Sequence, residues 1–323
     1  MIIITGAAGF IGSYVAAYLA KQDVGPLVLS DAFGRANKEL NYTSIPALRI
    51  DRDALFDYIC RHRKEVSGII HLGARTDTME FDESIFERLN YRYSQQIWEL
   101  AVRYEIPLIY ASSAATYGGG EFGFSDDLSL LPRLRPLNPY GWSKHRFDLW
   151  VLQQVRQGNA PPFWAGLKFF NVYGPNEYHK GRMASVVFHA FHQVRQGGKV
   201  SLFKSYRPEY DDGQQRRDFI YVRDVAEVIR FLFETRPRSD IYNLGTGTAR
   251  TFVDLVTPIF KALQLPVQIE YIEMPESIRG RYQYFTEAVM DKLRNIGYNR
   301  SFTPVEEGVF EYVKAFLVPQ KHY

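Results

Sequence analysis

The most constraining feature of this chain is a glycine turn, Thr5-Gly6-Ala7-Ala8-Gly9-Phe10-Ile11-Gly12, that follows three isoleucines and opens a helical pattern at 10–21. A strand that runs through G-x-x-G-x-x-G straight into a helix predicts the first half of a βαβ unit. Gly6 permits the tight turn, Gly9 lets the backbone approach a pyrophosphate, and Gly12 lets the helix pack closely on the strand. The unpaired N–H groups and positive dipole end of the helix then face the anion. Three glycines so spaced arise by chance in roughly one such chain in ten. Their place directly after the first strand makes that explanation much weaker.

The rest of the first half keeps the same rhythm. Apolar runs at 2–5, 27–30, 47–50, 68–72, 107–112 and 164–170 alternate with helical patterns at 10–21, 53–63, 84–104 and 140–157. Strands separated by helices imply right-handed crossovers and a parallel sheet. Several runs lack polar alternation, as strands do when helices cover both faces. The fold class expected is therefore α/β, a Rossmann-type doubly wound parallel sheet with a smaller α/β substrate-binding domain. Residues 1–170 form the dinucleotide domain, with about 218–250 returning to it, and 171–323 mainly the substrate domain, partly interleaved. Further helical patterns lie at 183–195, 222–235, 251–263 and 304–317, and the polar stretch 207–217 reads as a surface loop.

The 323 residues, 46% of them hydrophobic, are enough for a sizeable core. Net charge is +3, from 39 basic and 36 acidic side chains, which gives no expectation of a nucleic-acid or membrane partner. Cys60 is the one cysteine, on an apolar helix-like segment, and reads as a buried thiol in a reducing compartment. With no basic leader and no apolar run near the ~20 residues that span a bilayer, the cytoplasm is the expected location.

Asp31 ends the second strand, where an acid holds the ribose hydroxyls of NAD. Arg35 and Lys38 follow and can neutralise the 2′-phosphate of NADP, unless they belong to a solvated loop. NADP is the favoured cofactor, with NAD as the alternative. Tyr140 and Lys144 are one helical turn apart on one face. A phenol of pKa ~10 is a poor base at neutral pH, and a neighbouring lysine cation favours the phenolate. Such a pair takes a proton from an alcohol as hydride leaves its carbon. Ser113, just beyond the fifth strand, is placed to hydrogen-bond the reacting oxygen or simply to cap a turn. His189 and His192 are three apart on a helix, but no third ligand has metal spacing and no metal is expected.

The glycine turn, Tyr140-Gly141-Trp142-Ser143-Lys144 and the serine loop at 111–118 together resemble the extended short-chain dehydrogenase/reductases, the family of NAD(P)-dependent epimerases and dehydratases. His71-Leu72-Gly73-Ala74, Asn90, Asn171-Val172-Tyr173-Gly174-Pro175, Arg217-Asp218-Phe219-Ile220-Tyr221-Val222 and Asn243-Leu244-Gly245 extend the likeness over nearly the whole chain. The resemblance implies cofactor contacts from Gly6, Gly9, Phe10, Ile11, Gly12, Asp31, Ala32, Lys38, Leu72, Gly73, Ala74, Arg75, Thr76, Asn90, Tyr140, Lys144, Val172 and Lys180. Dehydratases of the family carry an Asp-Glu pair in the serine loop, where this chain has Ala114 and Ala115, so dehydration is not expected.

The segment 169–185, the loop 110–119 and Gly280-Arg281-Tyr282-Gln283 are most similar to the family's heptose 6-epimerases. That likeness implies an ADP-heptose substrate, C6 inversion for lipopolysaccharide core synthesis, bound NADP and a homo-oligomer, pentameric in that group. It implies two alternative acid/bases, Tyr140 and Lys180, because the ketone must turn over before hydride returns. Lys180 as an exposed loop lysine or a cofactor contact is the plainer reading. Substrate contacts carried over are Ser113, Asn171, Arg182, His189, Phe203, Lys204, Ser205, Tyr206, Arg217 and Tyr282. Arg182 stands where a small polar residue can sit, and the loop 207–215 is longer than in some members.

Overall fold

The computed structural model describes residues 1–280 and 282–323. Seven strands form one parallel sheet: β1 (Ile2–Thr5), β2 (Leu27–Asp31), β3 (Leu48–Asp51), β4 (Gly68–His71), β5 (Leu108–Ser113), β6 (Trp164–Phe169) and, far along the chain, a strand at Asp240–Leu244. The order across the sheet is Asp240–Leu244, β6, β5, β4, β1, β2, β3. The chain reverses its direction of winding between β1 and β4, so a crevice opens at the carboxyl ends of these two strands.

The all-apolar strands have a simple cause. Successive side chains point to opposite sheet faces, and each face here has its own core. Ile2 and Ile4 of β1 join Tyr14, Leu19, Val225 and Ile229 from helices Phe10–Lys21 and Val222–Thr235. Ile3 joins Ile59, Ile97, Trp98, Phe147 and Val151 from helices Leu55–His62, Tyr93–Arg103 and Pro139–Arg156. Leu27 and Leu29 against Val28, and Ile70 against Ile69, repeat the split. Each such side chain contributes about 1.5–3 kcal/mol on burial.

Phe170 alone separates β6 from β7 (Asn171–Tyr173), which belongs to a second sheet with β9 (Arg216–Tyr221) and β11 (Ala249–Thr251). Between them lies β8 (Val200–Phe203), which pairs in parallel with β12 (Ile269–Ile272); the Asp240–Leu244 strand is β10. Asp218 of β9 fixes the turn after β10, accepting hydrogen bonds from Thr246 N and Oγ1 (2.7 Å each), Gly247 N (2.9 Å) and Ala288 N (3.0 Å).

Three expectations are corrected. The polar stretch 207–217 is a loop only to Gln215, since Arg216 and Arg217 already belong to β9. The helix expected from 183 starts at Val186, because the Ser185 hydroxyl caps Phe188 N. The residues before it form a 3₁₀ turn, Tyr178–Met183, broken at Gly181 (φ 52°). The helical run at 84–104 contains a π-turn, Glu87–Arg92, that includes Asn90; such turns cluster at functional sites. Among the described residues no helix is long and apolar enough to cross a membrane.

Candidate active site and dinucleotide groove

The glycine turn is shaped by contacts that only hydrogen atoms allow. A Cβ on Gly12 would lie 2.1 Å from the Gly6 carbonyl oxygen, and one on Gly6 (φ 68°) would lie 2.7 Å from Gly73 Cα. A Cβ on Gly9 would meet only Gly6 O, at 3.1 Å. Gly6 and Gly12 therefore hold the turn against its own neighbours, whereas Gly9 leaves backbone open at the helix start. Gly9 is also the helix N-cap, and no side chain caps that end. The first N–H groups are thus free for an anion. At the end of β2, the Asp31 carboxylate accepts from Ala8 N (3.0 Å) and Ala32 N (2.7 Å), which joins the end of that strand to the turn. Lys38 and Ala32 are half-buried beside it, and Arg35 is exposed.

A directed chain of hydrogen bonds connects this turn to the helix Pro139–Arg156. Gly73 N donates to Thr5 Oγ1 (3.1 Å), which lies 2.6 Å from His71 Nδ1. His71 Nε2 lies 2.9 Å from Ser94 Oγ, and that hydroxyl donates to Asn90 O at 2.5 Å. The Ser94 proton being used, Nε2 must be the protonated nitrogen and Nδ1 the acceptor. Burial, helped by the Lys144 charge, brings the His71 pKa down to about 3, so the ring stays neutral. Asn90 clamps the backbone of Arg75, accepting from its N (2.8 Å) and donating to its O (2.9 Å). It also donates to Ser143 Oγ (2.9 Å), whose proton goes to Tyr140 O (2.7 Å). Asn90, expected as a cofactor contact, is 1% exposed, and these bonds tie the loop 72–76 to the helix that carries Ser143. Leu72, Gly73, Ala74 and Arg75 are half-buried there and Thr76 is exposed.

Asn138 caps the next helix through Gly141 N (2.8 Å), and Pro139 fixes its first turn. That helix presents Tyr140, Lys144 and Asp148 at successive i,i+4 positions. Burial raises the Tyr140 pKa, a hydrogen bond from Ser113 lowers it, and the Asp148 charge raises it again. Ser113 Oγ in turn accepts from Ala115 N at 3.1 Å. Lys144, expected to favour the phenolate, is anchored one turn further along the helix. Its ammonium donates to Ala111 O (3.0 Å), and burial, opposed by Asp148, lowers its pKa to about 8. Beneath them Asp148 accepts from Tyr110 (3.2 Å), Ser112 (2.7 Å) and Lys168 (3.0 Å), and Lys168 also donates to Thr116 Oγ1 (2.6 Å).

On the other side of the groove, the Tyr178–Met183 turn brings Lys180 to the glycine turn, its ammonium 5.3 Å from the centroid of the Phe10 ring. Burial lowers the Lys180 pKa, and Glu177 acts against that. Glu177 itself is fully buried and clasps the ends of this loop, accepting from Ser185 N (2.5 Å) and Ser185 Oγ (2.7 Å). Arg182 is exposed and pairs with Asp77 at 3.0 Å, beyond β4. Asn171 is exposed at the start of β7; Ile11, Val172 and His189 are half-buried.

Arg217, 8% exposed, is held among rings: its guanidinium lies 5.3 Å from the Tyr282 centroid and 5.7 Å from that of Phe252. It donates to the carbonyls of Arg216 (2.8 Å) and Gln283, and burial lowers its pKa. Among the described residues it has no carboxylate partner. Phe203 packs edge-on against Tyr282 at 6.1 Å. Lys204 and Tyr206 instead engage Glu273 at the surface, and Ser205 N donates to Asp212 (2.7 Å). Arg281 lies outside the described residues.

The sequence of this chain matches the NAD dependent epimerase/dehydratase family over residues 2–245. It belongs to that family. Its relatives include an ADP-L-glycero-D-manno-heptose-6-epimerase of Fusobacterium nucleatum, 44% identical over the whole of both chains. A second, from Nitratidesulfovibrio vulgaris strain DP4, is 45% identical over 98% of each. Among solved structures, the ADP-L-glycero-D-manno-heptose-6-epimerase of Helicobacter pylori aligns with a TM-score of 0.80 at 26% identity, covering 97% of this chain and 95% of that one.

As a member of the epimerase/dehydratase family, the chain also contains groups to which its sequence assigned no part of their own, His71 and Glu177 having entered only inside longer motifs. Asp148 and Lys168 form a buried ion pair under the serine loop, and His71, Glu177 and Asn41 organise the walls of the groove. Two of these leave a trace in sequence. Lys168 interrupts an apolar strand, and Asp148 continues the Tyr140–Lys144 face by one further turn.

Proposed function

We propose that this chain is an ADP-heptose 6-epimerase, interconverting ADP-D-glycero-D-manno-heptose and ADP-L-glycero-D-manno-heptose for the lipopolysaccharide inner core. The observation that carries the reading is the end-to-end likeness to heptose 6-epimerases at 44% identity. The open backbone at Gly9 and the uncapped helix behind it suit a pyrophosphate. Asp31, Arg35 and Lys38 suit the adenosine ribose of NADP, and Arg217, with no carboxylate partner among the described residues, suits the substrate diphosphate. A nicotinamide dinucleotide held by the glycine turn, Asp31 and Lys38 would supply the redox chemistry, reversible hydride transfer at C6.

The protein supplies the proton chemistry. Ser113 holds the reacting oxygen, and Tyr140 takes the hydroxyl proton in one sugar orientation. After the ketone has turned over, its oxygen meets Lys180, which gives up a proton readily because burial has weakened its hold. Lys144 steadies the Tyr140 side of the groove through Ala111. The substrate unit, mainly 171–323, binds the nucleotide sugar, and the enzyme works as a cytoplasmic homo-oligomer.

The test is to incubate purified protein separately with each ADP-heptose epimer and no added NADPH. Convergence on one equilibrium mixture is the expected result. Failure to convert either epimer, or, in a parallel incubation with NADPH added, conversion that consumes one NADPH per turnover, would overturn the proposal.

A further inference from the structure

Asn41 is 1% exposed and its side-chain amide is bonded by three separate parts of the chain. Nδ2 donates to Ala8 O in the glycine turn (3.1 Å) and to Asn176 O at the base of the Lys180 loop (3.1 Å), and lies 3.2 Å from His179 Nδ1. Two carbonyl acceptors fix which end of the amide is nitrogen. Oδ1 therefore needs a donor, and it has one, His322 Nδ1 at 2.8 Å. Burial lowers the His322 pKa, so the neutral ring must carry its proton on Nδ1. His322 is itself held in place. Tyr178 Oη donates to Lys321 O (2.7 Å), Tyr323 N donates to Asn176 Oδ1 (2.9 Å), and the Tyr323 ring stacks on Tyr14 at 4.0 Å.

We propose that Asn41, locked by His322, is a positioning pair that sets Lys180 against the glycine turn. Neither side chain touches a reacting atom. The two carbonyls joined by Asn41 belong to the segment that cradles the pyrophosphate and to the segment that presents the second acid/base. Without the His322 donor, Oδ1 is left buried and unpaired, which favours rotation of the amide and releases both carbonyls. A misplacement of about 1 Å at a reacting group lowers turnover by up to about 100-fold. The proposal rests on the role given to Lys180 above.

Three variants of the full chain test it: His322→Ala, His322→Asn and Asn41→Ala. Asn places an N–H where the imidazole has Nδ1, so it should restore the lock. Expected for His322→Ala is a kcat loss between about 10- and 100-fold, with KM within twofold, faster amide exchange at 176–180 and recovery in His322→Asn. An unchanged kcat, or equal losses in His322→Ala and His322→Asn, would overturn the proposal. Should wild-type protein convert neither heptose, the functional reading fails on its own. The pair is then judged on exchange alone, and unchanged exchange at 176–180 in both His322→Ala and Asn41→Ala overturns it.

Discussion

Lys168 Nζ lies 3.0 Å from Asp148 Oδ2, and neither side chain has any exposure to solvent. Removing one member of such a pair leaves an uncompensated buried charge. We expect Lys168→Met to destabilise the protein by about 3–5 kcal/mol, read from urea unfolding. Adding Asp148→Leu should recover part of that loss, though the hydroxyls of Tyr110 and Ser112 then lack their acceptor. A cost below about 1 kcal/mol for the single change would mean that the charges are not paired as described.

Tyr140→Phe keeps the ring and removes the proton acceptor. Turnover should fall on the order of 10²-fold or more with the melting temperature unchanged. Lys180→Met should do comparable damage to kcat. A Lys180→Met enzyme that lost only NADP affinity would reduce Lys180 to a cofactor contact.

Lys144 gives a pH signature. Its folded pKa of about 8 lies below the ordinary 10.5, so between these values the unfolded chain binds the extra proton. Stability contributed at this site therefore rises with pH across about 8 to 10.5, by at most about 1.4 kcal/mol per unit. Lys144→Met lacks this term. The unfolding midpoint of the wild type should gain on that of the variant as pH rises through the window, and a constant gap would contradict the shift.

The glycine turn separates packing from binding. Gly12→Ala drives a methyl into the Gly6 carbonyl and should lower both stability and NADP affinity. Gly9→Ala meets far less protein, so its melting temperature should stay close to wild type while NADP affinity, measured by fluorescence titration, drops. Equal affinity in Gly9→Ala and wild type would remove the assigned pyrophosphate approach.

Much of the sheet was legible because its physics is local. The residues 2–5 and 10–21 fall where the pattern put them, since three isoleucines buried on two faces and a glycine turn allow little else. The strand Asp240–Leu244 was not read, because its Asp, Tyr and Asn look polar; Asp240 is paired with Lys292 and Asn243 with the Phe124 and Val289 carbonyls, all distant in sequence. At the site, Ser113 could be placed from its position after the fifth strand, and Tyr140 and Lys144 from their spacing of one helical turn. Asn90 could be located but not its part, since the bonds to Arg75 and Ser143 span 15 and 53 residues. Lys144 could be placed on the Tyr140 face, but not its bond to the Ala111 carbonyl, 33 residues away. Asn41 and His322 lie 281 residues apart, beyond any periodicity.

A single residue, Phe170, carries the chain from the large sheet to the small one, and its N–H is tied to Leu244 O at 3.1 Å. So short a tether has no slack, and the buried Phe170 ring wedges it further. The two sheets are thus coupled like the jaws of a fixed wrench. Any swing of one jaw against the other has to turn about Phe170 itself and break its bond to Leu244.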